Sequence, residues 1–397
     1  MPGHIYLDHG ATTPLHPQVL EAMLPWLQVS FANPSSLYGP AREAREAVEQ
    51  SRSMVATILG CRPAEITFTS GGTESVNAAL RGIGLAQQRA RSGNEIVTTT
   101  IEHQAVLHTC QELERFGMVV RHADVDRDGR VLANSIKAAI RPKTALVSVM
   151  LANNEVGTIE PVSEIARVVR RRGTELGKQV LVHTDAIAAA GQLPLDVNVL
   201  EVDSLSLAAH KFGGPKGAGI LYLRRAVPFT AQQTGGGQEH QRRAGTENVA
   251  AIVGTARALE IATSSLPAEA PRLATLRDRL VSGILAAIPG VRLNGHPTER
   301  LAGNASFRLA DVNGEELLME LDAAGIAASS GSACADASWE PSHVVLAMGY
   351  TMAEAAGSVR FTLGSETTQN EIDYAIATLP EIVARLRSGA QALTVSS

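Results

Sequence analysis

The chain predicts an α/β fold, with a mainly parallel sheet in a large domain and a smaller α+β domain following it. Three observations carry that expectation. Strand-like and helix-like stretches alternate up to Lys211, as expected of strand-helix crossovers around a parallel sheet. Two of the strand-like runs, "TALVSVMLA" and "KQVLVHTD", are almost continuously apolar, which suits strands covered on both faces. Past about Glu260 the alternation gives way to a long helical stretch and short mixed segments. The large domain is therefore expected over residues 14–259 and the small one from residue 260 to 397. With 397 residues, 45% of them hydrophobic, the chain is long enough to bury the cores of two domains.

The opening "HIYLDHGATTPLHP" reads as a short strand and a turn punctuated by Pro14 and Pro17. In "FANPSS" the pair Asn33-Pro34 is a turn signal. "AREAREAVEQSRSMVATILG" has helical apolar spacing at Ala44, Val48, Val55 and Ile58/Leu59 and stops at Gly60, after which Cys61 reads as a small packed hydrophobe. "EITFTSGGTESVNAALRG" is a β-rich run, then Ser70-Gly71-Gly72-Thr73, then a helix. Such a junction aims free N–H groups and the positive end of a helix dipole at the loop, which suits a phosphate, and it is equally an ordinary turn with Ser70 or Thr73 as N-cap. "NEIVTTTIEHQAVLHTC" repeats the pattern, with a strand to about Thr100 and a helix from near Glu102. His103 falls at that junction, as a cap-region residue or as a ring over a ligand, and Cys110 reads as buried and structural.

The next buried run ends at Asn153-Asn154, polar residues at a strand end where ligands bind in open α/β sheets. "RVVRRRG" closes a helix from about Val162 to Arg172. The following run ends in Asp185, either an N-cap or a functional carboxylate. In "SLSLAAHKFGGPKGAG" a strand leads into a glycine-rich turn holding Lys211, and "AGILYL" begins the next strand. A lysine there is either solvated or partly desolvated at the core edge; in the second case its amine has a lowered pKa and can form a Schiff base with an aldehyde cofactor. "GGGQEHQRRAGTENVA" is a glycine-rich, charged loop. "LPAEAPRLATLRDRLVSGILAAIPG" follows as a helix after a proline-containing break, and "GNASFRL", "GEELLMELDAAG" and "IAASS" complete an α+β unit. Cys334, in "SSGSACADASWEPSHVVLAMG", lies between a short strand and a helix starting near Pro341. Its small and polar neighbours favour exposure and reactivity, while Asp336 could raise its pKa, so activation would need a base or the substrate. Arg360, in "SVRFTLGSETT", is either a surface ion-pair partner or a two-bonded carboxylate clamp. The last residues, "GAQALTVSS", lack periodicity and are expected to be disordered.

"SLAAHKFGGPKG" resembles the lysine loop of cysteine desulfurases of the NifS/IscS type, and the likeness runs from "YLDHGATTP" to "RFTLGSETT". The resemblance implies a type I PLP-dependent transferase fold, with residues 1–13 joining the small domain, and pyridoxal 5′-phosphate (PLP) as cofactor. It assigns Lys211 to the Schiff base, Asp185 to the pyridinium nitrogen, and His103 to stacking on the ring and proton handling. Thr73 and neighbouring amides, Gly72 included, are assigned to the phosphate, with His210 also among the cofactor-binding residues. Asn154 is placed near the cofactor's phenolic oxygen and the substrate, Asn33 near the substrate, and Arg360 on the substrate carboxylate. Cys334 corresponds to the persulfide-forming cysteine, and Thr246 to a residue that crosses a homodimer interface to the partner's phosphate. Two positions depart from the pattern: Ala188 where glutamine is common, and Ala209 where glycine is common. The implied reaction converts L-cysteine to L-alanine and passes sulfur to Cys334 and then to an acceptor protein. The rivals are another PLP-dependent C–S or selenocysteine lyase, or a non-catalytic sulfur-transfer scaffold.

Composition narrows the partners. A formal charge of −5 argues against general nucleic-acid binding, and no uninterrupted apolar run approaches the roughly 20 residues of a membrane helix. The absence of a basic-then-apolar leader pattern in "MPGHIYLDHG" and of a disulfide framework among three cysteines gives cytoplasm as the expected compartment. The spacing of Cys61, Cys110 and Cys334 is not that of a metal site.

Overall fold

The computed structural model describes residues 4–330 and 341–395. In chain order its elements begin with β1 (Ile5–Tyr6), α1 (Pro17–Gln28), α2 (Gly39–Leu59), β2 (Ile66–Thr69) and α3 (Gly72–Arg89). There follow β3 (Glu95–Thr99), α4 (Gln104–Glu114), β4 (Val119–Ala123), α5 (Ala133–Ala139), β5 (Thr144–Ser148), α6 (Val162–Glu175) and β6 (Leu181–Asp185). Then come α7 (Val197–Leu200), β7 (Ser204–Ala208), β8 (Gly219–Leu223), α8 (Val249–Ala287), β9 (Arg292–Asn294) and β10 (Asn304–Arg308). The chain closes with α9 (Gly314–Ala323), β11 (Ile326–Ala327), α10 (His343–Ala347), α11 (Met352–Ala356), β12 (Ser358–Thr362) and α12 (Gln369–Val395).

The main sheet has seven strands in the order β2-β8-β7-β6-β5-β3-β4. Its neighbours pair in parallel from β7 to β4, and only β8 runs against the rest. Strands β2, β3, β5, β6, β7 and β8 are buried along their whole length, which explains why the sequence shows continuous apolar runs rather than alternation. With one direction shared by six strands, their C-terminal ends lie along one rim, where a site can be assembled from residues far apart in sequence. Directly below that rim His183 joins three strands, its Nδ1 2.8 Å from Ser148 Oγ on β5 and its Nε2 3.0 Å from Ser206 Oγ on β7.

A second sheet, β12-β10-β9, is antiparallel, and the two-residue β1 pairs in parallel with β11. Leu7 accordingly belongs to the same buried cluster as Phe307, Phe361 and Ile326. The helix α8 serves both cores: Ile252, Ala256 and Leu259 pack with the main sheet, while Leu273, Leu276, Leu280 and Ile284 pack in the second cluster.

Several local expectations need correction. Pro17 is not merely a turn residue but starts α1: a proline there gives up an N–H that has no helical partner anyway, and His16 caps the helix by accepting from Gln18 N–H at 3.2 Å. The proline break before the long helix is absent, since Pro267 and Pro271 lie inside the continuous 39-residue α8, whose two ends are each held by a core. Arg257 and Glu260 interrupt its apolar run; by length and mean hydropathy it could cross a membrane, yet half of the qualifying stretch is buried within the protein. Strand β5 stops at Ser148, five residues before Asn153, although the Val149 and Leu151 N–H groups still donate to the His183 and Asp185 carbonyls. At the C-terminus, α12 continues to Val395, through residues whose aperiodic sequence predicts none.

Candidate active site

The rim gathers its groups through tight packing of small residues. Helix α3 begins at Gly72 with no side-chain cap, its N-cap Gly71 taking φ 155° and ψ −177°, a backbone conformation open to glycine. A Cβ on Gly72 would lie 2.3 Å from Ile187 Cδ1 and 3.2 Å from Ala208 Cβ, so the uncapped helix end can sit against both the segment after β6 and the end of β7 only because residue 72 is glycine. Those two neighbours lead to Asp185 and Lys211. Asp185 ends β6, 4% exposed, and its Oδ1 accepts from the Ile187 N–H at 2.9 Å. Lys211 closes a single 3₁₀ turn, Ala209–Lys211, at the end of β7.

The first residues of the chain lie across the lysine. Lys211 Nζ donates to the carbonyl oxygens of Gly10 at 2.5 Å and Ala11 at 2.8 Å, and the His210 carbonyl accepts from both N–H and Oγ1 of Thr13. His210 Nδ1 lies 3.2 Å from Thr12 Oγ1. From the second sheet, Arg360 on β12 reaches the same segment: Nη2 donates to Asp8 Oδ1 at 2.9 Å and Nη1 to the Asn154 carbonyl at 2.9 Å, while its buried Nε has no hydrogen-bond partner among the described residues. The side-on edge of the guanidinium, Nε with Nη2, is thus half engaged. A carboxylate sharing that edge would satisfy the orphan Nε.

His103 is the N-cap of α4, and its Nδ1 accepts from the Ala105 N–H at 3.0 Å. In the neutral ring the proton therefore sits on Nε2. Burial first, then the charge of Lys211, lowers its pKa to about 4. Burial raises Asp185 to about 6, with the Ile187 N–H and Lys211 opposing. Burial lowers His210 to about 4 as well. The thiols of Cys61 and Cys110 are both pushed up to about 12 by burial, which removes them as nucleophiles at neutral pH.

The structure thus brings Lys211, Asp185, His103, Thr73, Gly72, His210, Asn154 and Arg360 to the rim and its covering segment. Thr246 lines a neighbouring cavity of about 170 Å³ shared with Thr69, Ser70 and Gly217. Asn33 is spent locally, its Oδ1 accepting from the Ser35 N–H at 2.9 Å on an exposed loop. Cys334 lies outside the described residues. Ala209 is fully buried, and it is not among the positive-φ residues, so its methyl group is accommodated without strain where glycine is the commoner residue. Ala188, three residues after Asp185, is half-buried against the main core.

Sequence reasoning missed Asp8, which pairs with Arg360 across 352 positions, and a polar group next to His103. There His343 Nε2 lies 3.0 Å from the Glu102 carbonyl, and Ser342 Oγ donates to Glu155 Oε2 at 2.5 Å. The signals "LDHG" and "EPSH" are short and polar, and nothing in them points to a partner so distant.

An uncapped helix start suits a phosphate, a buried carboxylate with a raised pKa suits a protonated pyridine nitrogen, and a lysine on the same rim suits an aldehyde, so these residues fit PLP. Comparison with known proteins agrees. The aminotransferase class-V family model matches residues 5–375, and the chain belongs to that family, whose cofactor is PLP. Within it, the chain is 46% identical to cysteine desulfurase IscS of Methanosarcina thermophila, over 97% of this chain and 93% of that protein. Among solved structures, a NifS-like protein superposes with a TM-score of 0.89 at 37% identity, covering 96% of this chain and 100% of that one. SspA in complex with cysteine superposes with a TM-score of 0.77 at 34% identity, covering 90% and 98%.

Proposed function

We propose that this chain is a PLP-dependent cysteine desulfurase, which converts L-cysteine to L-alanine and takes the sulfur as a persulfide on Cys334. The observation that carries the reading is the convergence of Lys211, Asp185 and the uncapped start of α3 on one rim, with Arg360 presenting an unsatisfied Nε nearby. The full-length likeness to a protein described as a cysteine desulfurase, and the superposition on a structure that contains cysteine, support the same substrate.

When bound, PLP supplies an aldehyde for the amino group and a ring that accepts electrons. The residues of this chain do the rest. The N–H groups at Gly72 and Thr73 would hold the phosphate, and the Asp185 carboxylate would keep the pyridine nitrogen protonated. Arg360 orients the substrate through its carboxylate, using Nε and Nη2, and Asp8 gives up part of its hold on Nη2. Lys211 Nζ removes and returns the proton at the substrate Cα. His103, with its proton on Nε2, would stack on the ring and handle protons for the substrate. The Cys334 thiolate attacks the substrate sulfur: one S–S bond forms, the substrate Cβ–S bond breaks, and a proton restores the methyl group of alanine. The thiol plus L-cysteine thus give the persulfide plus L-alanine, with no external oxidant. A sulfur-acceptor protein then takes the persulfide sulfur. We place the enzyme in the cytoplasm as a homodimer, an assembly supported by the exposed apolar side chains of α1 and the loop after it, among them Leu27, Val29, Phe31 and Leu37.

Borohydride reduction with peptide mapping should place PLP on Lys211, and mass spectrometry after L-cysteine treatment should find one added sulfur on Cys334. Cys334→Ala should lose sulfur transfer and keep the cysteine-induced spectral change. Undiminished sulfide with an equal yield of pyruvate from that variant would replace the desulfurase by a C–S lyase.

A further inference from the structure

The loop from Gly235 to Thr246 contains three glycines in a row, yet its left-handed turn is not built from them. Glu239 (φ 47°), His240 (φ 55°) and Gln241 (φ 63°) occupy it instead. These are three of the seven non-glycine residues with positive φ among the described residues, and they are adjacent, so something outside the turn must hold it. The holding group is a buried ion pair. Glu239 is 5% exposed; its carboxylate accepts from Arg52 Nη1 at 2.7 Å and Nη2 at 3.0 Å, and from the Phe68 N–H at 2.8 Å. Arg52, 2% exposed on α2, also donates from Nη1 to the Ile66 carbonyl at 3.1 Å and lies 5.1 Å from the centre of the Phe68 ring.

A buried pair of this kind adds little net stability over apolar residues of the same shape, but losing one partner is costly, so its use is to impose geometry. The geometry imposed here leads to the phosphate end of the rim. Beyond the turn, Arg243 Nε donates to Glu74 Oε1 at 2.9 Å, and Glu74 Oε2 accepts from the Ser70 N–H at 2.7 Å. Glu74 is in the first turn of α3, so one unbroken set of bonds joins Arg52 and Glu239 to the Ser70–Thr73 loop through Arg243.

We infer that Arg52 and Glu239 are positioning residues for the cofactor phosphate: they lock a strained turn that places Arg243 on Glu74 and so fixes the loop at the start of α3. The inference rests on the reading of that loop as the phosphate site. The test strips PLP from the purified enzyme and titrates it back, following absorbance and Lys211 labelling by borohydride. Glu239→Gln keeps the shape and removes the charge, and should raise the PLP Kd about tenfold or more. Arg243→Ala should do the same, and the double variant should lose clearly less than the product of the two single losses, because both act through Glu74 while the Glu239 bond to the Phe68 N–H reaches the loop separately. Adding His240→Gly and Gln241→Gly to Glu239→Gln should recover most of the affinity, since glycine takes the left-handed turn without an anchor. Should Glu239→Gln fail to fold, Arg52→Lys, which keeps the charge and loses the two-pronged bond, must show the same loss and the same non-additivity with Arg243→Ala. An unchanged Kd, or losses that simply multiply, would overturn the inference alone. Failure of the unaltered chain to take up PLP would overturn the cofactor reading beneath it.

Discussion

Asp185 is held in a place that suits a charge poorly until a positive partner arrives. Its pKa rises from 3.8 to about 6 through burial, so in the ligand-free protein its contribution to stability is present below pH 3.8 and is lost as pH climbs through about 6. Roughly two pKa units at about 1.4 kcal/mol each put that loss on the order of 3 kcal/mol. Asp185→Asn should therefore make ligand-free protein more stable than the parent at pH 8 but not at pH 4, while weakening PLP binding. Urea midpoints at both pH values are the check; equal differences at the two would mean that the carboxylate is paired in the ligand-free state. Arg360→Ala should raise the KM for L-cysteine, a charge-assisted bond contributing about 1.5–3 kcal/mol, and an unchanged KM would remove Arg360 from the substrate. At this scale what was legible is position and not role: Asp185 ends β6, Lys211 closes the turn after β7 and His103 caps the helix that follows β3, and such junctions can be read from a buried run that stops. The Asp8–Arg360 pair could not be read, because its distance of 2.9 Å is set by the docking of two sheets and not by any local pattern.

At the level of elements, α3 depends on a single missing methyl group. Gly72→Ala would set a Cβ 2.3 Å from Ile187 Cδ1, and either that side chain or the helix start must move. Overpacking of this kind costs about 1–3 kcal/mol, and the displaced helix end should weaken PLP binding as well. Ile187→Ala in the same chain should restore both the thermal midpoint and the PLP Kd; restoration of the midpoint alone would separate the packing from the phosphate. Helices and strands were legible where periodicity decided them, as for α2 with its left-handed Gly60 cap. The start of α1 was not, because proline marks turns and first helical residues alike, and only the residues after Pro17 distinguish the two. The continuity of α8 through two prolines was hidden for a different reason: propensity argues for a break there, and packing at both ends overrides it.

For the molecule as a whole, α8 commits one rigid element to both hydrophobic clusters, so separate melting of the two cores would require breaking that helix. A single calorimetric transition is expected for the isolated chain, and two resolved transitions would refute the coupling. The exposed apolar face around α1 gives a second expectation. Leu27→Lys with Phe31→Glu should convert a species of twice the chain mass to one of the chain mass in sedimentation, with the large-domain fold retained; an unaltered chain that sediments as a monomer would dispose of the dimer. That face was not legible, since exposure depends on which neighbours arrive. The parallel sheet was legible because both of its faces are covered by elements of the same chain.

The pairing of β1 with β11 sets a timetable for synthesis. Ile5 is made roughly 320 residues before its partner Ile326, which at about 5–20 residues per second is a wait of tens of seconds. Throughout that interval the main sheet can close and Lys211 can reach its place at the end of β7, yet the strand that should hold residues 8–11 over the lysine has nothing to pair with. Nascent chains stalled before β11 emerges should therefore lose their first residues to a protease that spares the main sheet, and chains released after β12 should keep them. Early protection of the N-terminus would mean that Lys211 and Thr13, and not β11, recruit it.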